Sequence, residues 1–141
     1  MTYQQAIVKR LQDHGGVAKI PKTRQGSFTA ELDLERGYVR VSNLGGSPNI
    51  PLRVFDEIET LLKKQQGKAL RGDAMNCRLD TAGLSLDSVE GSVAHQVFGR
   101  QKGDTVFRRI TPMACLLVWA GVCVHGRGVL IDPELAQQTK E

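Results

Sequence analysis

The spacing of apolar residues changes several times along the chain, and each change marks a predicted element. Tyr3, Ala6, Ile7 and Leu11 recur at helical spacing. Thr2 precedes them as an N-cap and Gly15-Gly16 follow them, so a helix is predicted over Thr2 to Asp13. Lys19 to Gln25 is polar and basic, with Pro21 inside it. The period then falls to two. Phe28, Ala30 and Leu32 alternate with Thr29, Glu31 and Asp33, and beyond Glu35-Arg36-Gly37 the residues Val39 and Val41 alternate with Tyr38, Arg40 and Ser42. This predicts a two-stranded hairpin over Ser27 to Ser42 with one apolar face. An isolated hairpin is marginal in water, so that face must rest on neighbouring helices. Asn43 to Pro51 is rich in breakers and is predicted as a loop.

Helical spacing returns with Val54, Phe55, Ile58, Leu61 and Leu62, which predict a helix over Leu52 to Gln66. Glu57 and Glu59 fall early and Lys63 and Lys64 late, as the helix dipole favours, and Gly67 suits the position just past the end. Lys68 to Met75 is predicted as a short helix and Asn76 to Gly83 as a loop. Ser85 to Phe98 is predicted as a further helix, capped by Ser85 or Asp87, with Leu86, Val89, Val93 and Val97 on one face. Gly99 closes it and Arg100 to Asp104 form a polar turn. Thr111-Pro112 opens the next helix, which runs to Ala120 or Gly121. Met113, Leu116, Leu117 and Ala120 make one apolar face of it, and Cys115, Val118, Trp119 and Val122 a second. A helix that is apolar all round is covered on two sides, here by the N-terminal hairpin and first helix or by another subunit. Val122 to Val124 and Gly128 to Ile131 are predicted strands joined by His125-Gly126-Arg127.

The composition fits one domain: 141 residues, 40% hydrophobic and 24% charged. Its expected parts are an extension over 1–51, a core over 52–132 and a flexible tail over 133–141. Cys77, Cys115 and Cys123 are odd in number and lack a CxxC pair, which supports neither a disulfide framework nor a zinc site. No cofactor or metal is expected. The N-terminus lacks an apolar leader, and the longest apolar stretch, Met113 to Val124, is broken by Gly121 and too short for a span. A cytoplasmic protein without membrane association is therefore expected. His14, His95 and His125 are scattered and no nucleophile–base pattern is readable, so a non-enzyme is expected. A dispersed nuclease site drawing on Asp80, Asp87 and Glu90 stays open. Aromatics at 5% argue against a stacking ladder for single strands. The net charge of +4 permits a polyanionic partner without demanding one.

From residue 52 the predicted order is helix, short helix, helix, basic turn, helix, small hairpin. That order resembles the winged helix-turn-helix superfamily over residues 52–132. The run from Phe107 to Pro112, followed by Trp119 to Gly121 and Arg127-Gly128, is similar to the N-terminal winged-helix domains of some modification-dependent restriction endonucleases. The resemblance implies an α+β fold: a winged helix-turn-helix core with an N-terminal helix plus β-hairpin extension. It implies a DNA-binding protein, a regulator or the specificity component of a restriction or phage-defence system. Leu86 to Phe98 would be the recognition helix and His125 to Gly128 the wing tip.

The residues themselves support a double-stranded DNA partner. If Val89, Val93 and Val97 face the core, Ser88, Ser92, His95 and Gln96 face outward, as short donors and acceptors suited to base edges. Arg100, Lys102, Arg108, Arg109 and Arg127 flank them, where cations would position a duplex. Gly91 weakens its helix by about 1 kcal/mol against Ala, which implies close approach by another backbone in this protein or in DNA. Lys19, Lys22, Arg24, Arg36 and Arg40 could add a second phosphate-contacting patch. The alternative is a protein-interaction adaptor or inhibitor that uses the Val118/Trp119 face, a face that would equally serve a homodimer.

Overall fold

The alternation in the first third of the chain builds a larger sheet than a hairpin. In the computed structural model, which describes residues 1–138, β1 (Val17–Pro21), β2 (Ser27–Asp33), β3 (Tyr38–Val41) and β4 (Asn49–Pro51) form an antiparallel meander in chain order. Ala30 stands opposite Ala18 on one side and Val41 on the other. Side chains alternate across a sheet, so Ala18, Ile20, Phe28, Ala30, Val39, Val41 and Ile50 are all buried. β1 occupies part of the segment expected to be merely polar, and β4 part of the expected loop. Each is short and carries few inward residues, which leaves little alternation to read.

Two helices cover the apolar face. α1 (Tyr3–Asp13) is closed at its start by a reciprocal capping box between Thr2 and Gln5 and buries Tyr3, Ala6, Ile7 and Leu11. α2 (Arg53–Lys64) buries its expected stripe of Val54, Phe55, Ile58, Leu61 and Leu62. The Tyr3 N–H donates to Glu59 Oε1 at 2.8 Å and ties the two helices together.

The rest of the chain supplies β5 (Lys68–Leu70), α3 (Val89–Gln96), α4 (Ile110–Trp119), β6 (Val124–His125), β7 (Val129–Ile131) and α5 (Pro133–Gln138). The second sheet has the order β5-β7-β6, with Ala69 facing Leu130 in the register and both buried. The expected helix over Lys68 to Met75 is therefore not formed. Its first residues pair with β7, because Ala69 has a buried partner there that a local pattern cannot reveal. The helix expected from Ser85 begins only after Ser88. That serine is its cap, and the preceding turn is closed by the Ser88 N–H donating to Ser85 O at 3.0 Å. The tail expected to be flexible begins instead with α5, whose Leu135 N–H donates to Asp132 Oδ1 at 3.1 Å; residues 139–141 of that tail lie outside the described residues. Among the described residues, no helix is long and apolar enough to cross a membrane.

α4 is covered from within the chain. Met113, Ala114, Cys115, Leu116 and Leu117 are buried, and β1 and α1 both pack on the helix. The Arg10 guanidinium lies 4.5 Å from the Trp119 ring centre and donates to the Trp119 carbonyl, and the His14 ring is 5.1 Å from the Trp119 ring. Trp119 thus packs against the end of α1, while Val118 and Trp119 each stay partly exposed.

One apolar cluster draws on every layer, including Ile7, Ile20, Val39, Phe55, Val93, Met113 and Leu130. A smaller cluster of Leu79, Leu84, Ala94 and Val106 seats the segment between β5 and α3 onto α3. That second cluster encloses α3, so Val89 to Ala94 are all buried. Gly91 fits this crowding. A methyl group there would run into the Ser85 carbonyl oxygen and stand 2.8 Å from Ser88 Oγ. Gly91→Ala is expected to destabilise the fold by about 2 kcal/mol, since overpacking outweighs the gain in helix propensity. Urea denaturation checks this, and an unchanged or raised midpoint would contradict it.

Candidate functional site

Enclosure of α3 removes the surface expected to read DNA. Ser88 and Ser92 are buried, not exposed. Ser88 Oγ accepts from the Gly91 N–H and donates to Ser85 O, and Ser92 Oγ donates to Glu57 Oε1 at 2.8 Å. His95 is half-buried with Nδ1 2.9 Å from Arg100 O, while Gln96 is exposed. At the end of this helix, Arg100 pairs with Asp104 at 3.9 Å and Lys102 with Asp80 at 3.7 Å. Arg109 turns away from solvent, with its guanidinium 3.8 Å from the Phe98 ring centre and 4.8 Å from that of Phe107. The expected set is thus divided: Arg108 and Arg127 line one concave surface, and Arg100 and Arg109 a separate one beside Phe98 and Phe107.

The first of these surfaces is a cleft of about 640 Å³. Its walls are the β1–β2 turn (Lys22 to Gln25), Arg71 just after β5, Arg108 and Thr111 at the amino end of α4, and the β6–β7 turn (Gly126 to Gly128). Lys22, Arg24, Arg71, Arg108 and Arg127 give it five cations, and its lining includes no carboxylate and no aromatic ring. Among the described residues, none of these cations has a carboxylate oxygen within 4.0 Å. Like charges gathered in a cleft with low-dielectric walls focus a positive field.

The backbone fixes these cations in place. The Lys22 N–H donates to Gly26 O at 3.0 Å and closes the first turn; the Gly126 N–H donates to Val129 O at 3.0 Å and closes the second. The Arg71 N–H donates to Gly128 O at 3.0 Å, which binds the end of β5 to the second turn. Burial holds the Arg71 pKa below its usual value, and the charge of Arg108 adds to this, but a guanidinium stays protonated across the physiological range. Arg71 Nη1 donates to His125 Nδ1 at 3.2 Å. An arginine can only donate, so Nδ1 is the acceptor and the ring proton sits on Nε2, 3.5 Å from Thr23 Oγ1. Burial and the Arg71 charge both lower the His125 pKa, so the imidazole is neutral and bridges the two turns.

Beneath the cleft, Glu90 is buried. Its carboxylate accepts from the N–H groups of Arg109 at 2.9 Å and Ile110 at 2.7 Å, and so caps the first turn of α4. Its own N–H donates to Arg71 O at 3.0 Å. Glu90 therefore braces the backbone beside both Arg71 and Arg108. Burial raises its pKa to about 7, against the lowering effect of its two backbone donors.

An annex of about 210 Å³ continues the cleft, lined by Lys22, Asn43, Leu44, Arg108, Thr111 and Pro112. Asn43 Oδ1 is buried, with no hydrogen-bond partner among the described residues.

Lys22 and Arg24 carried a signal in the sequence, a basic polar stretch between two apolar ones. Lys19, Arg36 and Arg40 of the same suggested patch do not line the cleft. Arg71, Thr111, Asn43 and His125 carried no local signal as a group and meet only through the tertiary fold. No protein-family model matches the chain, and comparison with curated proteins and with solved structures finds no match.

Proposed function

We propose that the chain is a non-catalytic binder of double-stranded DNA that holds the phosphate backbone in the cleft between its two turns. The observation that carries this reading is the set of five cations lining one concave surface, none with a carboxylate oxygen within 4.0 Å among the described residues. A phosphodiester strand presents regularly spaced anions to such a surface and releases counterions on binding. The lack of aromatic lining favours backbone contacts over stacking on unpaired bases.

Connectivity supports a winged-helix reading in a modified form. α2, β5, α3, α4 and the β6–β7 hairpin follow one another, and β5 lies beside the second strand of that hairpin. In a helix-turn-helix pair the second helix is the one presented to the groove. α4 holds that position here, not the segment Leu86 to Phe98. Since β1 and α1 cover the sides of α4, it meets the duplex with its amino end, between the β1–β2 turn and the β6–β7 turn. A regulator and the specificity component of a restriction or phage-defence system both need such a binding surface. The adaptor alternative is less favoured, because Trp119 of the face it required already packs against Arg10 and His14.

Backbone amide shifts on titration with a short duplex test this placement. The expected perturbations fall on the turns at residues 22–26 and 126–128, on Arg71, and on residues 108–111. Perturbations centred on residues 88–102 instead, or none at all at low salt, would overturn it.

A further inference from the structure

We propose that Arg71 grips one phosphate of the duplex through the N–H groups of its Nε–Nη2 edge, and that His125 is the positioning residue that holds the guanidinium for this contact. The inference rests on the DNA-binding reading above and deepens it.

The five cleft cations are not equivalent. Lys22, Arg24, Arg108 and Arg127 are exposed, whereas Arg71 is half-buried. An exposed cation is screened by salt, and ordering it on a phosphate costs entropy. Arg71 stands on a braced backbone instead. Its N–H donates to Gly128 O at 3.0 Å, and its carbonyl accepts from the Glu90 N–H at 3.0 Å. Glu90 lies near enough to favour the Arg71 charge, but its two carboxylate oxygens accept from the Arg109 and Ile110 N–H groups. Among the described residues, no carboxylate is therefore bonded to this half-buried cation.

The bond to His125 decides which donors stay free. Among the described residues, the guanidinium makes one hydrogen bond, from Nη1 to His125 Nδ1 at 3.2 Å. Nε and Nη2 have no partner, yet neither is one of the side-chain atoms buried without a partner. Both therefore stay accessible, on a residue that lines the cleft. The Nε–H and one Nη2–H point the same way along one edge of the planar group, a fork that matches two oxygens of one phosphate. A lysine carries the same charge but has no such edge. His125 is itself held in place. It lies on β6, where it pairs with Leu130, and its Nε2 is 3.5 Å from Thr23 Oγ1. The imidazole thus fixes Nη1 and leaves the fork open to the ligand.

The test compares duplex affinity of the full chain with that of Arg71→Ala, Arg71→Lys, His125→Ala, His125→Asn and the double variant Arg71→Ala, His125→Ala, each checked for folding by its urea midpoint. Arg71→Lys is expected to bind about tenfold more weakly than wild type, close to the loss in Arg71→Ala, although lysine keeps the charge. His125→Ala should weaken binding about fivefold, and should cost nothing further where Arg71 is already alanine, since His125 acts through that side chain. Asparagine places Oδ1 near the position of Nδ1 as an acceptor, so His125→Asn should bind within about twofold of wild type. Arg71→Lys and His125→Asn are conservative, so they carry the test even if an alanine variant unfolds. Arg71→Lys binding as tightly as wild type would overturn the inference, as would an equal loss from His125→Ala with and without Arg71. A wild type that binds no duplex at low salt would overturn the DNA-binding reading and this inference with it, whereas the first two outcomes leave that reading standing.

Discussion

Replacing Glu90 with alanine is expected to lower the unfolding free energy by about 3 kcal/mol, the largest stability loss from any single polar residue near the cleft. The reason is structural. The carboxylate supplies the acceptors for the Arg109 and Ile110 N–H groups at the start of α4, and that helix end has no side-chain cap of its own. Truncation leaves both donors buried and unpaired. It also loosens the backbone that carries Arg108, so duplex affinity should fall with stability. Chemical denaturation measures the first effect; a loss below about 1 kcal/mol would mean that the capping bonds are replaced on truncation.

The same carboxyl makes stability depend on pH in a defined direction. Its pKa is raised by burial from 4.5 to about 7 in the folded chain. The folded state therefore holds this proton more tightly than the unfolded state. Its contribution is fully present below the unfolded value of 4.5 and is lost as pH rises toward 7. The gap corresponds to about 3 kcal/mol across that window. His125 acts in the opposite sense, since burial and Arg71 lower its pKa and the unfolded chain takes up that proton first. The difference between wild type and Glu90→Gln isolates the carboxyl, because the amide does not titrate. That difference should change by about 3 kcal/mol between pH 4.5 and 7, and a constant difference would contradict the assignment.

Reversing two charges in the cleft should have the largest effect on binding. Arg108→Glu with Arg127→Glu is expected to weaken duplex affinity about 100-fold or more, since two charge-assisted contacts contribute about 3 kcal/mol together. Both side chains are exposed and neither is ion-paired within the described residues, so the double variant should keep its stability. Arg100→Ala with Lys102→Ala is the matched control. Those cations are paired with Asp104 and Asp80 away from the cleft, and their loss should change affinity by no more than about threefold. Equal losses from the two pairs would place the duplex on the α3 end instead.

Some of this could be read from the sequence, and the remainder has physical reasons for being hidden. The stripes of α1 and α2 announced themselves, because each repeats one apolar face over several turns. The alternation of β2 and β3 was equally plain. β1 shows only Ala18 and Ile20 on its inner side before Pro21, and β4 shows only Ile50. β5 owes its existence to Leu130, far along the chain. The outward face assigned to Ser88 and Ser92 followed from Val89, Val93 and Val97 facing the core. It failed because a helix can be enclosed on every side, here by a segment whose Leu79 and Leu84 form a second cluster with Ala94. Arg108 and Arg109 are adjacent in the chain, yet one lines the cleft and the other lies against two phenylalanine rings. Nothing local distinguishes them. Arg71 and Asn43 reach the site from the ends of separate sheets, which only the assembled fold brings together.

The central claim is that phosphates bind in the cleft, and the salt dependence of duplex affinity tests it most directly. Affinity for a duplex of roughly 20 bp should be measured between about 50 and 200 mM salt for the wild type and for the Arg108→Glu, Arg127→Glu variant. Five cleft cations predict a slope of log affinity against log salt of about −4.5 for the wild type, and a slope shallower by about 2 for the variant. An identical slope in both folded proteins, or no duplex binding by the wild type at the lowest salt, would contradict it.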